Sequence, residues 1–198
     1  MAETTSDEIL MAAYQAGNQA AFGELFARHG GSVYGFLARR LPDRSLADDL
    51  YQEAFLRVHR ARDTYDASRP FRAWLFGIVH HLVVDALRDA GRTPRTQTLD
   101  DGDPHARGAV RGAEVAAPGG SPEEQASTRE AARALDAALH ALPQDEATVL
   151  LLARIEGMSY EDIAQVLGRT PAATKQLAYR ALQRVRAGMT SAGHGDET

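Results

Sequence analysis

The sequence predicts an all-α chain: an N-terminal helical bundle and a C-terminal helix-turn-helix domain joined by a flexible linker. Three observations predict it. Apolar residues recur at three- and four-residue steps in two separate blocks, the period of helices with one buried face. Between the blocks, residues 92–121 are dominated by Gly, Pro, Asp, Thr and Ala and carry no helical stripe, which is linker composition. Near the C-terminus, a capped short helix, a glycine and a second capped helix follow one another in "MSYEDIAQVLGRTPAATKQLAYRALQRVRAG", the helix-turn-helix pattern. The expected division is residues 1–91, linker 92–121, second domain 122–190 and a disordered tail 191–198. No strand pattern and no internal repeat is visible.

In the first block, "SDEILMAAYQAG" and "NQAAFGELFARHGGSVYGFLARRL" read as helices. Phe22, Leu25 and Phe26 form one stripe, and Val33, Phe36 and Leu37 another. In "SLADDLYQEAFLRVHRA", Ser45 is the expected N-cap and Leu46, Leu50, Ala54 and Val58 line the inner face. The fourth helix, "RPFRAWLFGIVHHLVVDALRDAG", is expected to face Trp74, Leu75, Ile78 and Leu82 inward and to stop at Gly91.

The second block opens at "SPEEQ", where Ser121, Pro122 and Glu124 form a capping box with proline at the first helical position. That helix runs to about Leu142 and Pro143 starts the next. Ser159 caps a short helix with Asp162 three residues on, and Met158 and Ile163 are placed as a hydrophobic staple. Gly168 ends it, and Thr170 and Pro171 start the last helix. Ala164 is small enough for the two helices to cross closely. Ile163, Leu167, Leu177 and Leu182 are the expected shared core.

Composition narrows the function classes. The 198-residue chain is 44% hydrophobic and 25% charged, which is ordinary globular composition. It has no cysteine, so disulfides, thiolate metal sites and cysteine nucleophiles are excluded. The N-terminal "MAETTSDEIL" lacks the basic and apolar regions of a signal peptide. No apolar run approaches the ~20 residues that a membrane span needs. The expectation is a cytoplasmic protein without membrane insertion. No phosphate-binding loop, zinc signature or Ser/His/Asp arrangement is present, so the chain is expected not to be an enzyme and to need no cofactor or metal. Adjacent helix positions such as His80 and His81 point about 100° apart and make a poor metal pair.

The net charge is -5, yet residues 169–186 carry five basic and no acidic side chains, including the chain's single lysine, Lys175. In a helix-turn-helix the second helix enters the major groove, with its N-terminal residues at the base edges. Here those are Thr170, Ala172, Ala173, Lys175 and Gln176. Tyr179, Arg180, Arg184 and Arg186 are placed to meet phosphates, which position without specifying. A solvated basic face is the bland alternative. The neighbouring residues 122–162 carry nine acids and three arginines, and that contrast favours DNA.

At "ADDLYQEAFLRVHRA" followed by "RPFRAWLFGIVHHLVVDALR", the chain resembles the sigma factors of bacterial RNA polymerase, in their compact extracytoplasmic-function class. The first stretch is similar to region 2.2, whose D-x-x-Q-E-x-F-L helix docks on the clamp helices of the largest polymerase subunit. The second is similar to regions 2.3 and 2.4, which open and read the minus-ten element. "LPQDEATVLLLARIEGMSYEDIAQVLG" and the helix after it resemble region 4, which reads the minus-thirty-five element and touches the flap of the second-largest subunit. The resemblance covers nearly the whole chain except linker and tails.

Residue by residue, the resemblance implies polymerase contacts at Asp49, Gln52, Glu53 and Arg57. On a helix with Leu46, Leu50, Ala54 and Val58 inside, the first three face largely outward, as an acidic patch for a basic partner should. It implies minus-ten contacts in and after "RDTYDASRPF", the loop that captures an unstacked promoter base. Tyr65, Ser68 and Phe71 would edge the pocket. Arg72, His80, His81 and Arg88 would follow on the helix. The family commonly has Arg-Asn where this chain has His80-His81. It commonly has Ser and Arg where this chain has Gln176 and Leu177, and Gln176 suits adenine. The implied partners are core polymerase, promoter DNA and an anti-sigma factor. The acidic cluster Asp100, Asp101 and Asp103 either mimics nucleic-acid charge in the polymerase cleft or is plain solvated linker. The competing reading is a stand-alone helix-turn-helix regulator, which has no use for "DDLYQEAF". A third is a helical adaptor that ignores DNA.

Overall fold

The computed structural model describes residues 5–92, 128, 132, 134–135 and 137–192. Among them there are helices and no strand. The expected Ser121–Glu124 capping box and the Asp100, Asp101 and Asp103 cluster lie outside the described residues.

Helix α1 (Asp7–Gln15) is capped by Ser6, whose hydroxyl accepts from Ile9 N. Helix α2 (Gln19–Arg40) is capped by Asn18 and runs unbroken through Gly30 and Gly31. Helix α3 (Arg44–Ala61) starts one position before the expected cap. Asp43 accepts from Ser45 N through its side chain, and a carboxylate one or two residues upstream caps as well as a serine does. A 3₁₀ turn over Arg62–Thr64 leads to α4 (Phe71–Arg92). Gly91 therefore lies inside this helix and does not end it.

The inner face of α4 also differs from expectation. Phe71, Leu75, Phe76, Val79, Leu82 and Val83 are buried, whereas Trp74 and Ile78 are only partly so. Helix α4 packs against α3, α2 and α1. Phe36 meets Phe76 edge-on at 5.6 Å between ring centroids. Phe26 is 40% exposed because it lies at the open edge of the Tyr51–Phe55 aromatic contacts.

In the second block, helical residues 137–140 precede α5 (Gln144–Arg154), which Pro143 begins. Helix α6 (Tyr160–Leu167) is capped as expected: Ser159 Oγ accepts from Asp162 N and donates to Asp162 Oδ2. Met158 and Ile163 are both buried, as a hydrophobic staple requires. Gly168 takes the left-handed conformation at φ 61° and ends α6. Helix α7 (Pro171–Ala192) follows, two residues into the stretch expected as tail. Thr170 Oγ1 accepts from Ala173 N at 3.2 Å. Helices α5, α6 and α7 pack on one another, with Ile163, Ala164, Leu177, Ala181 and Val185 inside. Leu167 and Leu182 are partly buried beside them.

The two blocks are not separate bodies. Helix α6 packs along α4, and one hydrophobic cluster runs from Met11 through Val185.

A Cβ added at Gly168 would meet nothing within 4 Å, so replacing it tests backbone conformation alone. Gly168→Ala is expected to cost about 1–2 kcal/mol, the penalty for an L-residue in the left-handed region. Urea unfolding followed by circular dichroism reads this, and an unchanged midpoint would contradict the cap.

Candidate nucleic-acid and polymerase interfaces

Three surfaces collect the candidate residues. The first is the outer face of α7. Lys175 and Gln176 are exposed one turn into the helix, and Tyr179 is 65% exposed. Together with Arg180 they line one shallow depression. Ala172 is exposed, Ala173 half-buried and Thr170 exposed, although its hydroxyl already serves as the cap. The basic run is less free than its sequence suggests. Arg169 Nη2 pairs with Asp145 Oδ2 at 2.5 Å. Arg184 Nε lies 3.5 Å from the buried Glu146 carboxylate. Lys175 Nζ lies 3.7 Å from Glu161 and 5.9 Å over the Tyr160 ring. Both partners of Lys175 lie in the first turn of α6, so they hold the ammonium against the start of that helix.

The second surface is the outer face of α3. Asp49 and Gln52 are exposed, while Glu53 and Arg57 are half-buried. Glu53 Oε1 takes Arg57 Nε at 3.0 Å and Arg60 Nη1 at 3.5 Å. The acidic patch is therefore partly neutralised from within. Sequence reasoning missed Leu56, which is 47% exposed on this face. The signal was available: Leu56 is four residues from Gln52 and falls off the Leu46–Leu50–Ala54–Val58 stripe. Leu56 thus adds one exposed apolar side chain to the polar outer face of α3.

The third comprises the segment between α3 and α4 together with α4. Tyr65 is 5% exposed and Phe71 1%, so neither ring faces solvent as a pocket edge here. They are core instead, in an aromatic trio with Trp74. The Tyr65 and Trp74 centroids lie 5.1 Å apart, and those of Phe71 and Trp74 6.0 Å. The Tyr65 hydroxyl is pushed up to about 12, by burial first and then by the carboxylates of Glu8, Asp66 and Asp7. It stays protonated and donates to Arg69 O at 2.6 Å. Ser68 is exposed at the tip. Its N–H donates to Asp66 Oδ1 and holds that carboxyl below its ordinary range.

On α4, His81 and Arg88 are exposed. His81 Nδ1 bonds to Gly77 O at 2.7 Å. His80 and Arg72 are instead engaged by the second block. His80 is buried, with Nδ1 3.2 Å from Thr148 Oγ1 and Nε2 3.8 Å from Asp145 Oδ1. Arg72 Nη2 donates to Glu156 O at 2.9 Å and Oε2 at 3.1 Å. Arg69 reaches Gln165 Oε1 at 3.3 Å, and the buried Arg40 bonds the Gln144 side chain. A polar seam therefore lies between the blocks, and Asp145 ties His80 to Arg169 across it. Among the described residues no helix is long and apolar enough to cross a membrane. None of them gather as a group of three or more potential metal ligands.

Comparison with known proteins places this geometry. The Sigma-70 region 2 profile matches residues 25–93, and the Sigma-70 region 4 profile matches residues 132–185. RNA polymerase sigma factor CarQ of Myxococcus xanthus is 33% identical over 187 residues, covering 89% of this chain and 93% of that one. The chain belongs to the extracytoplasmic-function sigma factors of RNA polymerase. The sigma-E factor of this class from Haemophilus influenzae is 28% identical over 93% of this chain and 96% of its own. The solved structure of CnrH in complex with the cytosolic domain of CnrY superposes with a TM-score of 0.69. It is 28% identical and covers 94% of this chain and 99% of that one. In sigma-factor terms, the region 2 match runs from within α2 through α4, with α1 before it, and the region 4 match takes in α5, α6 and most of α7.

Burial lowers the His80 imidazole from its ordinary 6.5; Asp145 opposes this, and His81 and Arg40 reinforce it. The stabilisation that neutral His80 gives the seam is complete above pH ~6.5 and is lost as pH falls through the lowered value. Acidification from pH 7.5 to 5 is therefore expected to expand the free sigma factor in small-angle scattering. The change should be smaller in His80→Gln. Identical curves for both proteins at both pH values would refute the assignment.

Proposed function

We propose that this sigma factor binds core RNA polymerase and directs it to specific promoters. It helps to melt the minus-ten element and leaves the chemistry to the polymerase. The observation that carries this reading is the pairing of two exposed faces on one chain. An α7 face of Lys175, Gln176, Tyr179 and Arg180 suits duplex DNA. An α3 face of Asp49, Gln52 and Leu56 suits a protein. Region 2, the linker, region 4 and the tail divide as residues 1–91, 92–121, 122–190 and 191–198. The chain has no catalytic role of its own and acts in the cytoplasm, where its polymerase is.

Residue roles follow from exposure. Gln176 reads a base edge, with Lys175 beside it, Ala172 and Ala173 against the groove and Thr170 setting the helix start. Tyr179, Arg180 and Arg184 hold phosphates. Ser68, His81 and Arg88 meet the minus-ten strand directly. Arg72 and His80 join them once region 4 lifts from α4, and Tyr65 and Phe71 support the segment from beneath. A net-negative chain with one small basic face binds duplex DNA poorly alone, so the polymerase supplies the remaining affinity. The seam between α4 and α6 gives an anti-sigma factor a second means of control, because a protein that holds the two regions together hides His80 and Arg72. The similar chain CnrH has been solved in complex with the cytosolic domain of CnrY.

Gln52→Ala and Leu56→Asp are expected to weaken core-polymerase binding about tenfold, as removal of central contact residues does; co-purification reads this. In run-off transcription on randomised promoters, Gln176→Ala should relax one minus-thirty-five position by about 1–3 kcal/mol. Arg180→Ala should weaken all sequences alike and lower the salt slope by about 1. Tight promoter footprinting by the chain without polymerase would favour the stand-alone regulator instead.

A further inference from the structure

Helix α1 has no role in the function described above, yet it holds both ends of the segment between α3 and α4. Gln15 Nε2 donates to Arg62 O at 2.7 Å and to Tyr65 O at 3.0 Å. Glu8 Oε1 accepts from the N–H of Phe71, the first residue of α4, at 3.0 Å. A carboxylate there satisfies an orphan N–H and faces the positive end of the helix dipole. Glu8 and Gln15 are two turns apart on one helix face, about 10 Å along the axis. Helix α1 is itself fixed from the other side. Asp7 takes Arg28 Nη1 at 2.9 Å and His29 Nε2 at 2.7 Å. The Tyr14 hydroxyl bonds His59 Nδ1, and its ring stacks on Phe22 at 4.8 Å.

Between these anchors the segment is closed on itself. Tyr65 OH donates to Arg69 O, and the side chain and backbone of Asp66 accept from Ser68 N and Arg69 N. Residues 66–69 are left exposed as a compact turn. A turn with its shape fixed internally is aimed by the points that tie down its ends. Base selection by hydrogen bonds is sensitive to such aim, because these bonds weaken steeply with angle.

We propose that α1 is the positioning element of the minus-ten contact. Gln15 and Glu8 act as positioning residues that aim the 66–69 turn and so set how sharply a promoter base is selected. The proposal rests on the reading that this segment meets the minus-ten element. Neither residue touches DNA; both act through backbone atoms of the segment.

The test uses holoenzyme reconstituted with the full chain, and sequences run-off transcripts from a library randomised at both promoter elements. Gln15→Glu keeps the side chain's size but sets an acceptor against two carbonyls, whereas Gln15→Lys keeps a donor. Glu8→Leu removes the acceptor and Glu8→Gln keeps one. Gln15→Glu and Glu8→Leu are expected to reduce minus-ten selectivity by about fivefold each, the equilibrium factor of one ordinary hydrogen bond. Minus-thirty-five selectivity and polymerase affinity should stay at the wild-type level. Gln15→Lys and Glu8→Gln should restore most of the minus-ten preference. A wild-type minus-ten profile in both disruptive variants overturns the proposal. So does a loss shared equally by the two elements, which marks a general folding defect. A wild-type holoenzyme that initiates nowhere in the library overturns the underlying sigma-factor reading instead.

Discussion

The arrangement depends on the double burial of α4. A surface helix buries one stripe; α4 buries two adjoining ones. Phe71, Leu75, Val79 and Leu82 recur at helical spacing on the first. Ala73, Phe76 and His80 fall on the second, at steps of three and four. Helices α1–α3 pack on α4 from within the first block, α6 packs along it from the second, and one hydrophobic cluster joins the blocks. His80 lies at the edge of that second stripe, where the apolar core gives way to the polar seam.

That seam is polar and incompletely paired. Its contacts join arginine and histidine side chains to glutamine, carboxylate, a threonine hydroxyl and backbone carbonyls. Arg40 Nε and Arg72 Nε have no hydrogen-bond partner among the described residues. Burying such groups without full pairing is costly, and separating the blocks returns them to water. The closed state therefore gains from apolar contact and loses from imperfect polar burial. The same opening would free Arg72 and His80 for nucleic acid.

Much of the local structure was legible in the sequence because it is decided by neighbours in the chain. The Ser159 cap, the Gly168 stop and the Thr170 start each involve groups within four residues of one another, so spacing alone predicts them. The departures have both local and longer-range causes. Ser45 yielded the cap to Asp43. Gly91 falls one residue short of the end of α4, after an exposed turn that stays helical. Trp74 and Ile78 ceded the inner face of α4 to residues one position along, because helices of both blocks pack on that helix. In the candidate interfaces, sequence identified the residues but not their engagement. Asp145 and Glu146 reach Arg169 and Arg184 from 24 and 38 positions away, a pairing no charge count reveals.

By itself the sequence determined the helical class, the division into two blocks, the helix-turn-helix and the outward placement of Lys175, Gln176, Asp49 and Gln52. Each follows from periodicity and capping chemistry, which act over a turn or two of helix. Tertiary structure decided which side chains are free to meet a partner. It put Tyr65 and Phe71 inside, buried His80 against region 4, paired Arg72 with Glu156, left Leu56 exposed and tied α1 to the segment between α3 and α4 through Gln15 and Glu8. Those outcomes depend on contacts between residues as many as 104 positions apart, and the shape of the packed core alone brings such residues together.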